Sequence, residues 1–294
     1  VSDAATFEPH RAALTGLAYR MLGSLSDAED VVQDAYLRWH RAAGGAVAEP
    51  RAFLVRIVTR LCLDVLKSAR ARRETYIGPW LPEPVLDDAA LRADTASELA
   101  QDISVALLLA LERLSPLERA AFLLHDVFDQ DFATIGLALE RSPAACRQLA
   151  ARARTHVRAR PPRFAADPAA AQRLVAAFMV AAYDNDIAAL KNLLAADACA
   201  HTDGGGIRTA ARRVIVGADR VARFMAGITR KFGTGVAAAP AVLNGMPGLL
   251  LRAADASVRT LAFEIFEGQI SALYIVSNPL KLRHRSIKAR ILLF

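Results

Sequence analysis

Thr134-Ile-Gly-Leu-Ala-Leu-Glu-Arg-Ser-Pro-Ala-Ala-Cys-Arg-Gln-Leu-Ala-Ala-Arg-Ala-Arg-Thr-His-Val-Arg158 breaks at Ser142-Pro143. A serine hydroxyl can accept from the open N–H groups of a first helical turn, and proline's fixed φ suits that turn, so a helix starts here. From that point Cys146, Leu149, Ala150, Ala153 and Val157 recur at helical spacing and predict a buried stripe. Ala144, Arg147, Gln148, Arg152, Thr155 and Arg158 fall on the opposite face. A shorter helix, about Phe132–Leu139, ends just before the break. Short helix, tight turn and a second helix with a small-residue seam and a basic face describe a helix-turn-helix. Its second helix would enter a DNA major groove with its early residues leading. Arg147 can bridge N7 and O6 of guanine, and Gln148 can pair with adenine. Arg152, Arg154 and Arg158 lie further along and suit phosphates. A solvated basic face on an ordinary helical hairpin has the same pattern, so this segment alone leaves both readings open.

Upstream, the chain reads as helices back to its start. Phe7–Met21 is one amphipathic segment, and Ser26 predicts the cap of a second running from Asp27 to about Arg41, with Glu29 at the capping-box position. In that second helix Val31, Val32, Ala35, Tyr36 and Trp39 form a core stripe. Asp30, Gln33, Asp34, Leu37, Arg38 and Arg41 make a mixed second face. Leu37 is apolar for a solvent surface, which fits either a protein-binding face or a merely solvated one. The Gly44-Gly45 pair interrupts the pattern. A third helix, from near Pro50 to about Arg73, sets Phe53, Ile57, Leu61 and Val65 on one face. This helix and its exit carry Arg51, Arg56, Arg60, Lys67, Arg70, Arg72 and Arg73 against Asp64 alone, a density that suits a phosphate track or a soluble surface. Helical periodicity resumes from about Ala96 to Arg113, and Ser115-Pro116 opens a further helix.

Two proline-rich joins divide the chain. In Tyr76-Ile-Gly-Pro-Trp-Leu-Pro-Glu-Pro84, three prolines and a glycine exclude a regular helix or a central strand, while Tyr76 and Trp80 suggest docking. The second join is Arg160–Pro168. Beyond it two helices, about Ala169–Tyr183 and Ile187–Ala195, precede β-rich stretches at Ala198–Asp203, Thr209–Val216, Val236–Asn244, Leu249–Arg252, Val258–Glu267 and Gln269–Ser277, with a helix at Ala218–Lys231. The expected architecture is therefore multi-domain. All-α modules occupy residues 1–75 (a helical bundle) and 96–160 (the helix-turn-helix), a linker lies at 76–95, and an α+β domain follows at 168–294.

The bulk numbers agree with a folded chain and a polyanionic partner. The 294 residues are 54% hydrophobic and 23% charged, which separates the chain from disordered sequences. A net charge of +7 suits nucleic acid, although many proteins of this charge bind none. Cys62, Cys146 and Cys199 lie far apart with no C-x-x-C pair, so neither a disulfide framework nor a metal site is expected, and a reducing compartment is. The first residues lack a basic-then-apolar leader, and runs such as Leu174–Tyr183 fall short of the ~20 residues of a membrane helix. A cytoplasmic protein with no membrane partner and no cofactor is expected.

Asp27-Ala-Glu-Asp-Val-Val-Gln-Asp-Ala-Tyr-Leu-Arg-Trp39 resembles the polymerase-binding helix of extracytoplasmic-function sigma factors. The basic helix after it is similar to their −10 element reader, and the helix-turn-helix to their −35 reader. Residues 76–84 and Ser142–Ala150 resemble the linker and recognition helix of the SigJ-like subgroup, whose members carry a C-terminal SnoaL-like cone domain. The subgroup's DGGG and NP-x-KL motifs stand here as Asp203-Gly204-Gly205-Gly206 and Asn278-Pro279-Leu280-Lys281-Leu282. The resemblance implies core RNA polymerase as partner, through its β′ clamp helices and β subunit, with Asp30, Gln33, Asp34, Leu37 and Arg38 meeting the clamp. It implies promoter DNA at −10 for Arg56, Arg60, Lys67 and Arg70, and at −35 for Ala144, Arg147, Gln148, Arg152, Arg154 and Arg158. It also implies a built-in regulator that packs on the sigma modules and the linker through Tyr76, Trp80, Asp203, Gly204, Gly205, Gly206, Asn278, Pro279 and Lys281. Two departures stand out. Glu140 replaces the usual turn glycine, at roughly 1 kcal/mol for a left-handed residue. Ile207 and Leu280 stand where the family tends to have lysine and aspartate.

Two rival readings fit the same sequence. Cone domains of this type host isomerases and cyclases, and His201 with Asp203, helped by Tyr183 or Tyr274, could form a general-base site. The tripeptide glycine run after Asp203 favours a turn, so the chain is expected not to be an enzyme. An unknown small ligand in the cone is a further possibility. A ligand-sensing one-component regulator would not need the helix at 27–41. The basic tail Lys281–Arg290 has no assigned role.

Overall fold

The structure, a computed structural model, describes residues 3–42, 47, 49–74, 76–86, 91, 102–158, 167–232, 235–284 and 287. The expected Gly44-Gly45 break, the start of the 96–113 helix and most of the 160–168 join lie outside the described residues. So do most of the tail beyond residue 284 and the side chains of Arg70, Arg72, Arg73 and Arg158. The chain divides into two compact units, Val1–Thr75 with Asp88–Pro162, and Tyr76–Asp87 with Arg163–Phe294. The two helical modules thus cluster together, and the first part of the 76–95 linker belongs with the C-terminal domain.

The first unit is helical: α1 (Asp3–Leu22), α2 (Leu25–Ala42), α3 (Pro50–Glu74), α4 (Val105–Glu112), α5 (Pro116–Phe122), a π-helical turn (Leu123–Val127), α6 (Phe132–Leu139) and α7 (Pro143–Arg158). Ser24, not Ser26, caps α2: its Oγ accepts from the Asp27 N–H at 3.2 Å, and Ser26 is already inside the helix. The deeply buried stripe of α3 is Leu54, Val58, Leu61, Cys62 and Leu66, whereas Phe53, Ile57 and Val65 are only half-buried. A strict four-residue step drifts about 40° per step around a 3.6-residue helix, so a straight 53–57–61–65 line cannot hold one face. Ser115 and Glu118 form a full capping box at the start of α5, with Pro116 in its first turn.

Arg119, 3% exposed, joins the two modules within this unit by donating to the Met21 carbonyl at 2.5 Å and to Glu112 at 3.1 Å. Burial pulls its pKa down to about 10. Arg20, equally buried, donates to the carbonyls of Gly16 and Leu91.

The second unit contains α8 (Pro168–Tyr183), α9 (Ile187–Leu193), β1 (Leu194–Asp203), β2 (Ile215–Val216), α10 (Ala218–Phe232), β3 (Ala237–Leu243), β4 (Met246–Arg252), β5 (Val258–Phe266) and β6 (Gln269–Val276). The sheet order is β2-β1-β6-β5-β4-β3, with β1 and β6 parallel and the other pairs antiparallel. The three helices cover one face, where Phe178, Val221, Leu261, Phe263 and Leu273 form the core with Ala198 and Ala200 of β1. Of the expected 209–216 strand only Ile215–Val216 pairs. Further back, Ala211 bonds to the Thr202 hydroxyl instead of to a strand backbone, which ends the ladder.

Candidate functional site

Three surfaces bring the sequence-predicted residues together. On α2, Asp30, Gln33, Asp34, Leu37 and Arg38 are all exposed, because Val31, Val32, Ala35 and Trp39 turn the other side into the core. Leu37 keeps 42% of its surface in solvent, so an apolar side chain lies amid carboxylates, an amide and a guanidinium. That combination gives a protein partner both area to desolvate and charges that fix register.

The basic faces are partly occupied by the unit's own groups. On α3, Arg56 lies over the Phe53 ring at 5.3 Å, and Lys67 pairs with Asp64 at 2.9 Å. Arg60 reaches the end of α6, donating to the carbonyls of Leu137 (3.1 Å) and Ala138 (3.3 Å) and pairing with Glu140 at 2.9 Å. The last carbonyls of a helix are partly negative, so a guanidinium suits them. Glu140 itself caps α6 at φ 55°, ψ 48°, the left-handed conformation in which the family's glycine would be unstrained. Gly136 permits the turn's close approach, since a Cβ there would lie 2.7 Å from the Arg141 carbonyl oxygen.

On α7, Ala144, Arg147, Gln148 and Arg152 are exposed, and Cys146, Ala150, Ala153 and Val157 are buried. Arg147 lies 5.7 Å from the centre of the Phe132 ring. Arg152 pairs with Glu118 at 3.4 Å and keeps 62% of its side chain exposed. Arg154 is half-buried against Asp126 at 2.7 Å, so it braces α7 on the π-helical turn and stands apart from the exposed set.

The third cluster lies inside the second unit and is closed. Asp203, with no exposed surface, ends β1. Its Oδ1 accepts from Tyr76 Oη (2.5 Å) and the Gly205 N–H (3.0 Å), and its Oδ2 from the Leu81 N–H (2.9 Å) and Lys281 Nζ (2.7 Å). Asn278 Nδ2 donates to Tyr76 Oη at 2.9 Å, so that hydroxyl both gives and receives. Burial, and then the adjoining carboxylate, push the Tyr76 phenol above its ordinary range and keep it a donor. Lys281 also donates to the Leu81 carbonyl, and its ammonium sits 4.3 Å from the Trp80 ring centre and 5.0 Å from that of Tyr76. Gly205 has φ +61°, and a Cβ on it would lie 2.2 Å from Asn278 Nδ2. A Cβ on Gly204 would meet the Arg208 carbonyl oxygen at 2.1 Å, and one on Gly206 would touch Ile77. Pro279 follows Asn278 and is half-buried, while Ile207 and Leu280 point outward, 55% and 52% exposed. At its far end residues 81–85 are buried, and Val85 exchanges bonds with Asn244 at the β3–β4 turn.

Strand alternation separates the His201–Asp203 pair from the core. Ala198 and Ala200 face the helices, so Cys199, His201 and Asp203 face the other side, where His201 packs 5.3 Å from Tyr274. Tyr274 turns away from the core too, donating to Glu264 at 2.5 Å, whereas Tyr183 lines a cavity on the helix-packed side. Among the described residues no group of three or more His, Cys, Asp or Glu is placed to hold a metal, and no helix is long and apolar enough to cross a membrane.

The Sigma-70 region 2 family model matches residues 6–72, over α1 to α3, and the Sigma-70 region 4 model matches 104–157, over α4 to α7. The ECF RNA polymerase sigma factor SigJ of Mycobacterium tuberculosis is 38% identical across 98% of this chain and 96% of its own length. The chain belongs to the extracytoplasmic-function sigma factors of RNA polymerase. The probable ECF sigma factor SigI of the same species is 33% identical, over 94% of this chain and 93% of that protein. The crystal structure of SigJ superimposes with a TM-score of 0.75 at 35% identity, covering 95% of this chain and 98% of that one. Two helical sigma modules followed by an α+β sheet domain are thus the fold of the relative as well.

As a sigma factor the chain binds core RNA polymerase and promoter DNA and directs promoter-specific initiation. Sequence reasoning missed two buried arginines of this sigma factor, Arg20 and Arg119. The signal available was a single charge inside an apolar run, Arg20 within Leu17-Ala-Tyr-Arg-Met-Leu22. It also read Arg60 only as a DNA contact, because the carbonyls and Glu140 that hold it lie about 80 residues away in sequence.

Proposed function

We propose that this sigma factor regulates itself by capturing, in its own C-terminal domain, the segment that joins its two helical modules. The carrying observation is Asp203, a buried carboxylate with four donors, two of which come from that segment as Tyr76 Oη and the Leu81 N–H. A regulator acts only through different affinities for two states, so the captured segment defines one state and a released segment the other. In the released state Asp30, Gln33, Asp34, Leu37 and Arg38 engage the β′ clamp helices of core polymerase. Arg56, Arg60, Lys67 and Arg70 then meet the −10 DNA, and Arg147 and Gln148 read −35 bases, with Arg152 and Arg158 on phosphates. For Arg60 this requires leaving Glu140. The C-terminal domain serves as regulator and not as enzyme, in keeping with a His201–Asp203 pair turned away from the core. The protein works in the cytoplasm, where its polymerase is.

Promoter-directed transcription with core polymerase tests the capture in the full chain. Tyr76→Phe deletes a donor to a buried carboxylate, a loss of roughly 1–3 kcal/mol. It should raise initiation about tenfold or more and expose residues 76–86 to protease. Protease exposure without any change in initiation would show that the capture is structural only.

A further inference from the structure

On the helix-packed side of the second unit, opposite the Asp203 cluster, the core is not filled. A cavity of about 450 Å³ opens between α8, α10 and the inward faces of β3 to β5. Its origin is legible in the strands. Deep in the core the inward positions hold Leu249, Leu261, Phe263 and Ile265, but at the far end they hold Ala238, Ala253 and Ser257. The space between helices and sheet continues while the side chains that should fill it shorten. Native cores leave few voids larger than a water, and a chamber of this size falls in the range of small-molecule sites, roughly 300–1,000 Å³.

The lining is mostly apolar, with Met179, Met225, Ile228 and Leu251 along its walls. Val180 and Tyr183 stand at its edge, 61% and 73% exposed, and give an apolar approach from solvent. The polar groups are few. Thr229 and Ser257 offer hydroxyls, and Arg259, half-buried, occupies the inward position of β5 next after Leu261. The opposing charge, Asp184, is exposed on the rim at the end of α8. A guanidinium presents a planar fork that matches a carboxylate. At about 30 Å³ per water molecule in the liquid, the volume equals that of roughly 15 waters.

We propose that this cavity binds a medium-chain monocarboxylic acid, its apolar chain between α8 and α10 and its carboxylate on Arg259. The site lies on the opposite face of the sheet from the captured segment and does not require that capture.

Calorimetric titration of the full chain with decanoate, decanol and decyltrimethylammonium tests it. Decanoate should bind at a single saturable site at least tenfold more tightly than either other probe. Ala238→Leu and Ala253→Leu, each filling the chamber, should weaken decanoate at least tenfold with a melting temperature equal to or above that of the parent. Arg259→Gln should bring decanoate down to the level of decanol while leaving decanol unchanged. The proposal is overturned if the folded parent shows no saturation by decanoate up to millimolar concentration. It is equally overturned if decanol or the ammonium binds as tightly, or if both leucine variants, folded by circular dichroism, bind like the parent.

Discussion

Lys281 in the C-terminal unit and Arg147 on the recognition helix carry the same charge in opposite settings. Lys281 is closed in on every side, by a carboxylate, a carbonyl and two aromatic faces, and only 13% of its side chain meets solvent. Arg147 stands on an exposed face with a single ring beside it. A charge whose donors are spent inside the protein holds the protein together, whereas one left in water is available to a polyanion. The same division runs through α7 itself, where Arg154 is tied to Asp126 and Arg152 remains largely in solvent.

The largest effect expected from this contrast is at the closed cluster. Lys281→Met leaves Asp203 buried with three hydrogen-bond donors but no countercharge, and should destabilise the C-terminal unit by about 3–5 kcal/mol in urea unfolding. A loss within experimental error of zero would place Lys281 with the exposed cations. Next comes Arg147→Ala, which should change affinity by roughly 1–3 kcal/mol at preferred −35 sequences and much less elsewhere, as read from binding to a promoter library. Arg154→Ala should lower thermal stability and leave the sequence preference alone. Equal preference changes in both variants would erase the distinction drawn along α7. Third, Leu37→Asp should weaken binding to core polymerase about tenfold, roughly 1.4 kcal/mol, with an unchanged melting temperature. The smallest effect is Glu140→Gly. It removes left-handed strain of about 1 kcal/mol and an exposed ion pair worth about 0–1 kcal/mol, so the melting temperature should rise slightly or stay level. A clear fall would mean that the Arg60–Glu140 contact holds the two helical modules together more firmly than its exposure suggests.

Helix positions and exposed faces were legible because they depend on residues three and four apart. The start of α7 follows from Ser142 and Pro143, and the exposed row on α2 follows from the spacing of Val31, Val32, Ala35 and Trp39. Small errors came from local competition. Ser24 and Ser26 are both able caps, and only the chain's path over Gly23 selects the first. On α3 the apolar residues outnumber one stripe, and neighbours on two sides decided that Leu54, Val58 and Cys62 go deepest.

The sequence alone determined the family, the order of the modules and which helix faces stay exposed, since motif spacing and helical periodicity are short-range properties. It also marked Tyr76, Trp80, Asp203 and Lys281 as belonging together through resemblance. Only the tertiary structure decided that they form one buried carboxylate site and that residues 76–86 join the C-terminal unit. It alone decided that Arg60 ends on α6, that Arg119 spans the helical modules, and that small side chains at the sheet's end leave a chamber. Each of these depends on groups tens to hundreds of residues apart, and burial, which sets whether a charge is held or offered, exists only once the chain has folded.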